Sequence, residues 1–336
     1  MDTQAGQPKG TPSAEPRFIA SIGPHIRSGE TVGHIMWTVS ASLFPAAALS
    51  VYYFGLPAAM VLAVAIASAV VTEAVAQKVM GVKVTVHDGS AFLTGLLLGM
   101  NLPAGVPFYL PLLGSAAAII IVKQLFGGLG YNISNPALIG RALLLASFPR
   151  LMTTWPAPSS TLSLARIDAV TAATPLGILK EEGYQKLLAH FADKYDMYTQ
   201  MLLGHRGGSM GEVSIVVLLA GAAYLMLKGY ISWHIPVSFI ATVAGITWLS
   251  GGDPVLAVLS GGLVLGAFFM ATDYVTAPQI RRAQVCFGIG CGGITALIRL
   301  LGGYPEGVCY AIIIMNLFTP LLDRAFKPKK FGAAKA

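Results

Sequence analysis

The sequence predicts an all-α polytopic membrane protein of about ten spans, and three observations carry that expectation. The 336 residues are 55% hydrophobic and only 11% charged, with a mean hydropathy of +0.69, outside the usual range of a water-soluble globular chain. Apolar runs of near membrane-spanning length fill most of the chain. Five of these runs precede, and five follow, one polar stretch from Arg150 to Glu212.

The first residues are polar and rich in Gly, Pro and Ser, show no cleavable signal peptide, and read as a flexible cytoplasmic tail over 1–34. A first membrane repeat, 35–149, holds runs at Met36–Phe54, Pro57–Gln77, Ser90–Leu102, Phe108–Phe126 and Pro136–Phe148. An outward loop, 150–211, separates it from a second repeat, 212–323. That repeat holds Val213–Lys228, Ile235–Ser250, Pro254–Met270, Val285–Leu301 and Val308–Leu322, and a basic cytoplasmic tail, 324–336, follows. Ser90–Leu102 and Pro136–Phe148 fall short of the ~20 residues a straight crossing needs, which predicts short, broken or re-entrant helices buried by their neighbours.

Lysine and arginine placement sets the orientation, because cytoplasmic connectors retain these residues. With the N-terminus inside, Lys9, Arg17, Arg27, Lys78, Lys83, Lys123, Lys228, Arg281, Arg282 and the C-terminal Arg324 to Lys330 all fall inside. The opposite connectors, near Ala104, Gly252 and Gly303, are almost free of them. Both termini are therefore expected in the cytoplasm and the long loop outside. The net charge of +7 is spread over span ends rather than one face, so it reads as a topology signal and no nucleic acid partner is expected.

The two halves are weakly alike. Lys123-Gln-Leu-Phe-Gly-Gly resembles Arg299-Leu-Leu-Gly-Gly, Asn135-Pro136 finds a counterpart in Asn316 with Pro320, and Gly95 and Gly99 match Gly262 and Gly266. Five spans per half is odd, so a duplicated half inserts upside down, giving two inverted five-helix repeats. The glycines of Gly261-Gly262-x-x-x-Gly266 and Gly288-x-Gly290-x-Gly292-Gly293 read as places of close helix approach. Cys286, Cys291 and Cys309 lie in or beside apolar segments without metal-ligand spacing and read as small apolar residues.

Within the outward loop stands Asp168-Ala169-Val170-Thr171-Ala172-Ala173-Thr174-Pro175. Taken locally, Thr174 before Pro175 is a helix N-cap with proline at the first helical position. The pattern Asp-x-x-Thr-x-Ala-Thr also resembles the flavinylation motif of membrane redox proteins, with alanine at 169 and 172 where glycine is frequent. The resemblance runs from about Ser21 to Arg324. It includes His87-Asp88-Gly89-Ser90-Ala91, Leu93-Thr94-Gly95, Phe126-Gly127-Gly128-Leu129-Gly130-Tyr131-Asn132 and Asn135-Pro136-Ala137. Thr272-Asp273-Tyr274 with Ala277-Pro278, and Tyr304-Pro305-Glu306-Gly307 with Met315-Asn316, fit it too. The family resembled is the NqrB/RnfD family, which unites a membrane component of Rnf complexes with one of the sodium-pumping NADH:quinone reductase, Nqr.

That resemblance implies a urea-transporter-like fold in a prokaryotic inner membrane. It also implies FMN joined to the Thr174 hydroxyl by a phosphodiester, with Asp168, Thr171 and Ala173 as the rest of the recognition motif. A magnesium-using flavin transferase of the ApbE type, which takes FMN from FAD, is the implied maturation partner. The other Rnf subunits, A, B, C, E and G, are the implied working partners, carrying electrons between ferredoxin and NAD while Na+ or H+ crosses the membrane. A tether keeps an exposed flavin beside its redox neighbours. An Nqr-type quinone-linked protein is the nearest rival, although its longer N-terminal region is not matched by the short tail here; a passive urea-like channel is the more distant one.

Ionisable groups in or near spans need a purpose or a partner. Glu73, Lys123 and Arg299 are expected to snorkel to span ends. Arg141 and Asp273, with Asn101, Asn135 and Asn316 at the short helices, are candidates for a midplane site holding either a second, non-covalent flavin such as riboflavin or a coupling ion. Helix-packing hydrogen bonds explain the three asparagines equally well. No acid–base pair or nucleophile–base set is evident, so any net reaction belongs to a complex.

Overall fold

Away from water, every backbone N–H and C=O must be satisfied within its own segment, and the apolar runs accordingly fold as helices. The computed structural model describes residues 29–158, 173–204 and 207–327; the compact unit described below begins at Val32. Asp168 and Thr171 lie outside the described residues, as do most of the expected N-terminal tail and the C-terminal residues from Pro328. Among the described residues three helices are long and apolar enough to cross a membrane, Val32–Val79, Arg281–Leu301 and Val308–Ala325, and five shorter apolar helices accompany them.

The first two expected runs are one element, α1 (Val32–Val79), interrupted by non-helical backbone at Gly55. Its φ of 68° is the left-handed region that only glycine enters at low cost. Pro57 opens the second arm, where its missing N–H leaves no bond unmade. Next comes α2 (Ser90–Met100), then α3 (Tyr109–Ala117), which continues as a π-helical stretch over Ala118–Gln124. Gly95 brings α2 against the second arm of α1: a Cβ there would stand 2.6 Å from the Ile66 Cα. Asn135 caps α4 (Pro136–Ser147), its side chain accepting from the Ala137 N–H.

The polar stretch is not a bare loop. After α5 (Pro149–Met152) it carries α6 (Pro175–Glu181), α7 (Tyr184–Leu188) and α8 (Lys194–Leu203). Ile178, Leu187, Met197 and Met201 form a separate apolar cluster with Leu256 of the second half. That second half comprises α9 (Ile215–Leu227), α10 (His234–Leu249), α11 (Pro254–Leu259), α12 (Leu263–Leu265) with a π-helical continuation Gly266–Met270, α13 (Arg281–Leu301) and α14 (Val308–Ala325).

Ser90–Met100 and Pro136–Ser147 are continuous short helices; the broken segment is the one expected as a single run, Pro254–Met270. Gly261 and Gly262 have φ of 68° and 63° and interrupt it, while the expected close approach holds at Gly261 and Gly266, where a Cβ would stand 2.5 Å from Leu176 and 2.3 Å from Val308. Close approach also holds at Gly288 and Gly292, where a Cβ would meet the carbonyl oxygens of Ile235 and Phe239 on α10 at 2.8 Å each.

Candidate functional site

Thr174 is the N-cap of α6. Its backbone is extended, Pro175 fills the first helical position, and its Oγ1 accepts from the Gly177 N–H at 3.1 Å, so the local capping pattern is realised. With Ala173, Thr174 lines a cleft of about 650 Å³. Arg150, Trp155, Tyr304 and Tyr310 also line it, and on its inner side stand Arg141, Glu306 and Cys309. A threonine hydroxyl, two arginines and several rings thus surround one space large enough for a ring-and-phosphate cofactor. Esterification of Thr174 would remove its proton and leave a lone pair for the Gly177 N–H, so capping and attachment are compatible.

Two anchors hold the insert, one on α6 and one on α7 and α8. Lys180 Nζ donates to the carbonyl oxygens of Gly302 and of Tyr304, the latter at 3.1 Å, tying α6 to the α13–α14 connector. Asp253 ties α7 and α8 to the base of α11. One of its oxygens caps α11 through the Val255 and Leu256 N–H groups at 3.0 and 3.2 Å. The other receives the Tyr184 hydroxyl at 3.0 Å, the Tyr198 hydroxyl and Lys194 Nζ at 3.2 Å. Burial pushes the Asp253 carboxyl up, but the donors from Tyr198, Leu256, Lys194 and Tyr184 outweigh it and hold it below the usual carboxylate range.

The five midplane candidates separate into linked and isolated members. Asn101 accepts from Arg141 Nη1 at 3.0 Å and donates to the Leu97 carbonyl at 2.7 Å. Asn135 Nδ2 donates to the Met270 carbonyl at 3.3 Å, while the Met270 sulfur receives Asn101 Nδ2 at 3.4 Å. Asn316 Nδ2 donates to Ser134 Oγ at 3.1 Å, one residue before Asn135, and shares no hydrogen bond with Asn101, Asn135 or Arg141 among the described residues. Asp273 stands apart, accepting from the Thr276 hydroxyl at 3.0 Å, although it and Asn135 line one small cavity of about 50 Å³.

A family model described as the NQR2, RnfD, RnfE family matches residues 19–332. The chain belongs to that family. It is 51% identical to the D component of a proton-translocating ferredoxin:NAD(+) oxidoreductase complex from Clostridium ljungdahlii, over 95% of this chain and 97% of the relative. The D component of a Na(+)-translocating ferredoxin:NAD(+) oxidoreductase complex from Acetobacterium woodii is 45% identical over 96% and 97% of the two chains. That of an ion-translocating oxidoreductase complex from Stutzerimonas stutzeri is 38% identical over 90% and 92%.

In this member of the family the three residues expected to snorkel do not. Glu73 and Lys123 are 0% and 2% exposed and form an ion pair, joined by Ser90 Oγ and Gln77. Arg299 turns inward and donates to the carbonyl oxygens of Ala257 at 2.6 Å and Ser260 at 2.9 Å. Those carbonyls border the glycine break between α11 and α12, where the helical ladder supplies no partner. Snorkelling loses because each charged group has a specific partner within reach. Sequence reasoning placed Glu306 only within the Tyr304-Pro305-Glu306-Gly307 motif, not as the partner of Arg141, and missed Asp253, whose one signal is an Asp-Pro cap.

Proposed function

We propose that this chain is the membrane flavoprotein of an ion-translocating ferredoxin:NAD oxidoreductase complex of the Rnf type, carrying FMN on Thr174. The observation that carries this reading is the Thr174 hydroxyl in the wall of a roomy cleft, at the end of the Asp168-to-Thr174 motif. The names of full-length relatives support the complex. Bound there, the flavin supplies the electron-carrying chemistry; the protein supplies position and electrostatics. The five-plus-five helical organisation, with cytoplasmic termini and the insert outside in a prokaryotic inner membrane, agrees with the lysine and arginine distribution. Coupling of electron flow to Na+ or H+ movement is assigned to the assembled complex, with its other subunits as partners.

Loading by an ApbE-type transferase is a balanced exchange. The Thr174 oxygen forms a bond to the FMN phosphorus of FAD, the bond to the AMP half breaks, AMP leaves and the hydroxyl proton passes to solvent. The test is co-expression of the full chain with and without the transferase, followed by fluorescence of the band on a denaturing gel. Wild type and Thr174→Ser are expected to fluoresce only with the transferase, and Thr174→Val not at all. A flavin that survives Thr174→Val, or a dark wild-type band despite an active transferase, would overturn the assignment.

A further inference from the structure

Arg141 is the buried cation of the Thr174 cleft. Its side chain is 8% exposed, and a guanidinium is retained at such a depth only where its partners compensate the loss of water. Glu306 takes Nη2 and Asn101 takes Nη1 at 3.0 Å. Asn101 is itself oriented, because its amide group donates to the Leu97 carbonyl and so turns its oxygen to Arg141. The Arg141 Nε–H finds no acceptor among the described residues, an unmet donor in a side chain that lines the cleft. Packing α4 against α2 and α14 requires none of this, since an apolar side chain would fill the space without desolvating a charge.

Resting on the reading that Thr174 carries a flavin, we infer that Arg141 and Glu306 set the reduction potential of that flavin. Arg141 is the positioning cation that favours the reduced form, and Glu306 is the anion that opposes it. Two electrons and one proton added to a neutral oxidised isoalloxazine leave one net negative charge. The electrons come from a neighbouring redox centre of the complex and the proton from water. Fixed charges in a protein wall act on that charge with less screening than charges in free solution. Removing the cation therefore disfavours reduction, and removing the carboxylate favours it.

The full-length chain, loaded by co-expression with the transferase, is titrated with dithionite in the presence of indicator dyes while flavin absorbance is recorded. Arg141→Gln is expected to lower the reduced-to-oxidised ratio at fixed potential about tenfold, a negative shift of about 30 mV for a two-electron couple. Glu306→Gln is expected to shift it positive by a similar amount, and Arg141→Lys to restore most of the wild-type value. Shifts of the same sign in Arg141→Gln and Glu306→Gln, or no shift in either, overturn the inference. If Arg141→Gln does not accumulate, Glu306→Gln decides alone: a positive shift supports the assignment and its absence overturns it. A wild-type chain without flavin would instead overturn the attachment reading, so the two failures are distinguishable.

Discussion

Lys123 Nζ lies 2.8 and 2.7 Å from the two carboxylate oxygens of Glu73, between the second arm of α1 and the π-helical end of α3. Neither side chain reaches solvent to any useful extent, so the pair stands or falls together.

Removing one partner leaves the other charge uncompensated. Glu73→Gln or Lys123→Met alone is expected to cost about 3–5 kcal/mol of stability, and the double variant much less than the sum, because two neutral groups need no counter-charge. Thermal unfolding in detergent, run as a double-mutant cycle, measures this. Additive losses would show that the two residues act independently.

The anchor of the insert is pH-dependent. Because the folded Asp253 carboxyl is held below its ordinary value of 3.8, its contribution is complete above that value and is lost as pH falls through the lower folded one. Lys194 is raised above 10.5 by its hydrogen bonds to the Tyr198 and Asp253 oxygens, so its contribution holds below that value and fades as the solution becomes strongly alkaline. Proteolysis within 184–198 is expected to stay slow from neutral pH down to about the ordinary carboxyl value and to accelerate only below it. Asp253→Asn should cleave faster already at neutral pH and respond less to acid.

Lys180→Met is expected to loosen α6 by about 1 kcal/mol, the usual net value of such hydrogen bonds. Amide hydrogen exchange over Pro175–Glu181 should quicken, while exchange in α13 stays as it was. An equal change in both helices would mean that Lys180 acts on the whole chain.

Two glycines are expected to respond oppositely to alanine. Gly95→Ala drives a methyl group into the backbone of α1 and should cost about 1–3 kcal/mol. Gly293→Ala, in α13 with nothing within 4 Å of the added carbon, should gain about 0.5–1 kcal/mol. Melting temperatures of the two variants in the same detergent report the contrast.

Helix positions were legible because apolar runs of this length leave the backbone few alternatives, and Thr174 was legible as a cap because Thr-Pro is a local signal. The interruption of Pro254–Met270 was missed because paired glycines serve close packing and left-handed turns equally well. The Glu73–Lys123 pair was illegible for a different reason. Its members are 50 positions apart, and only the packing of α1 on α3 brings them together. Beyond α6, which its Thr-Pro cap announced, the helices of the insert escaped notice because segments as short as α7 carry too few apolar positions to show a period. The cleft that gives Thr174 its setting is assembled from α4, α6 and the α13–α14 connector, a conjunction no single segment announces.

The turn at Gly55 is covered by chain made much later. The Ser50 hydroxyl donates to the Met210 carbonyl at 2.6 Å, across 160 positions, and the Tyr53 hydroxyl reaches the Leu203 carbonyl at 3.4 Å. During synthesis these two contacts cannot form until the insert has emerged. A ribosome stalled after α4 would present a cysteine engineered at Phe54, 1% exposed in the finished protein, to a thiol-directed label more readily than the finished protein does.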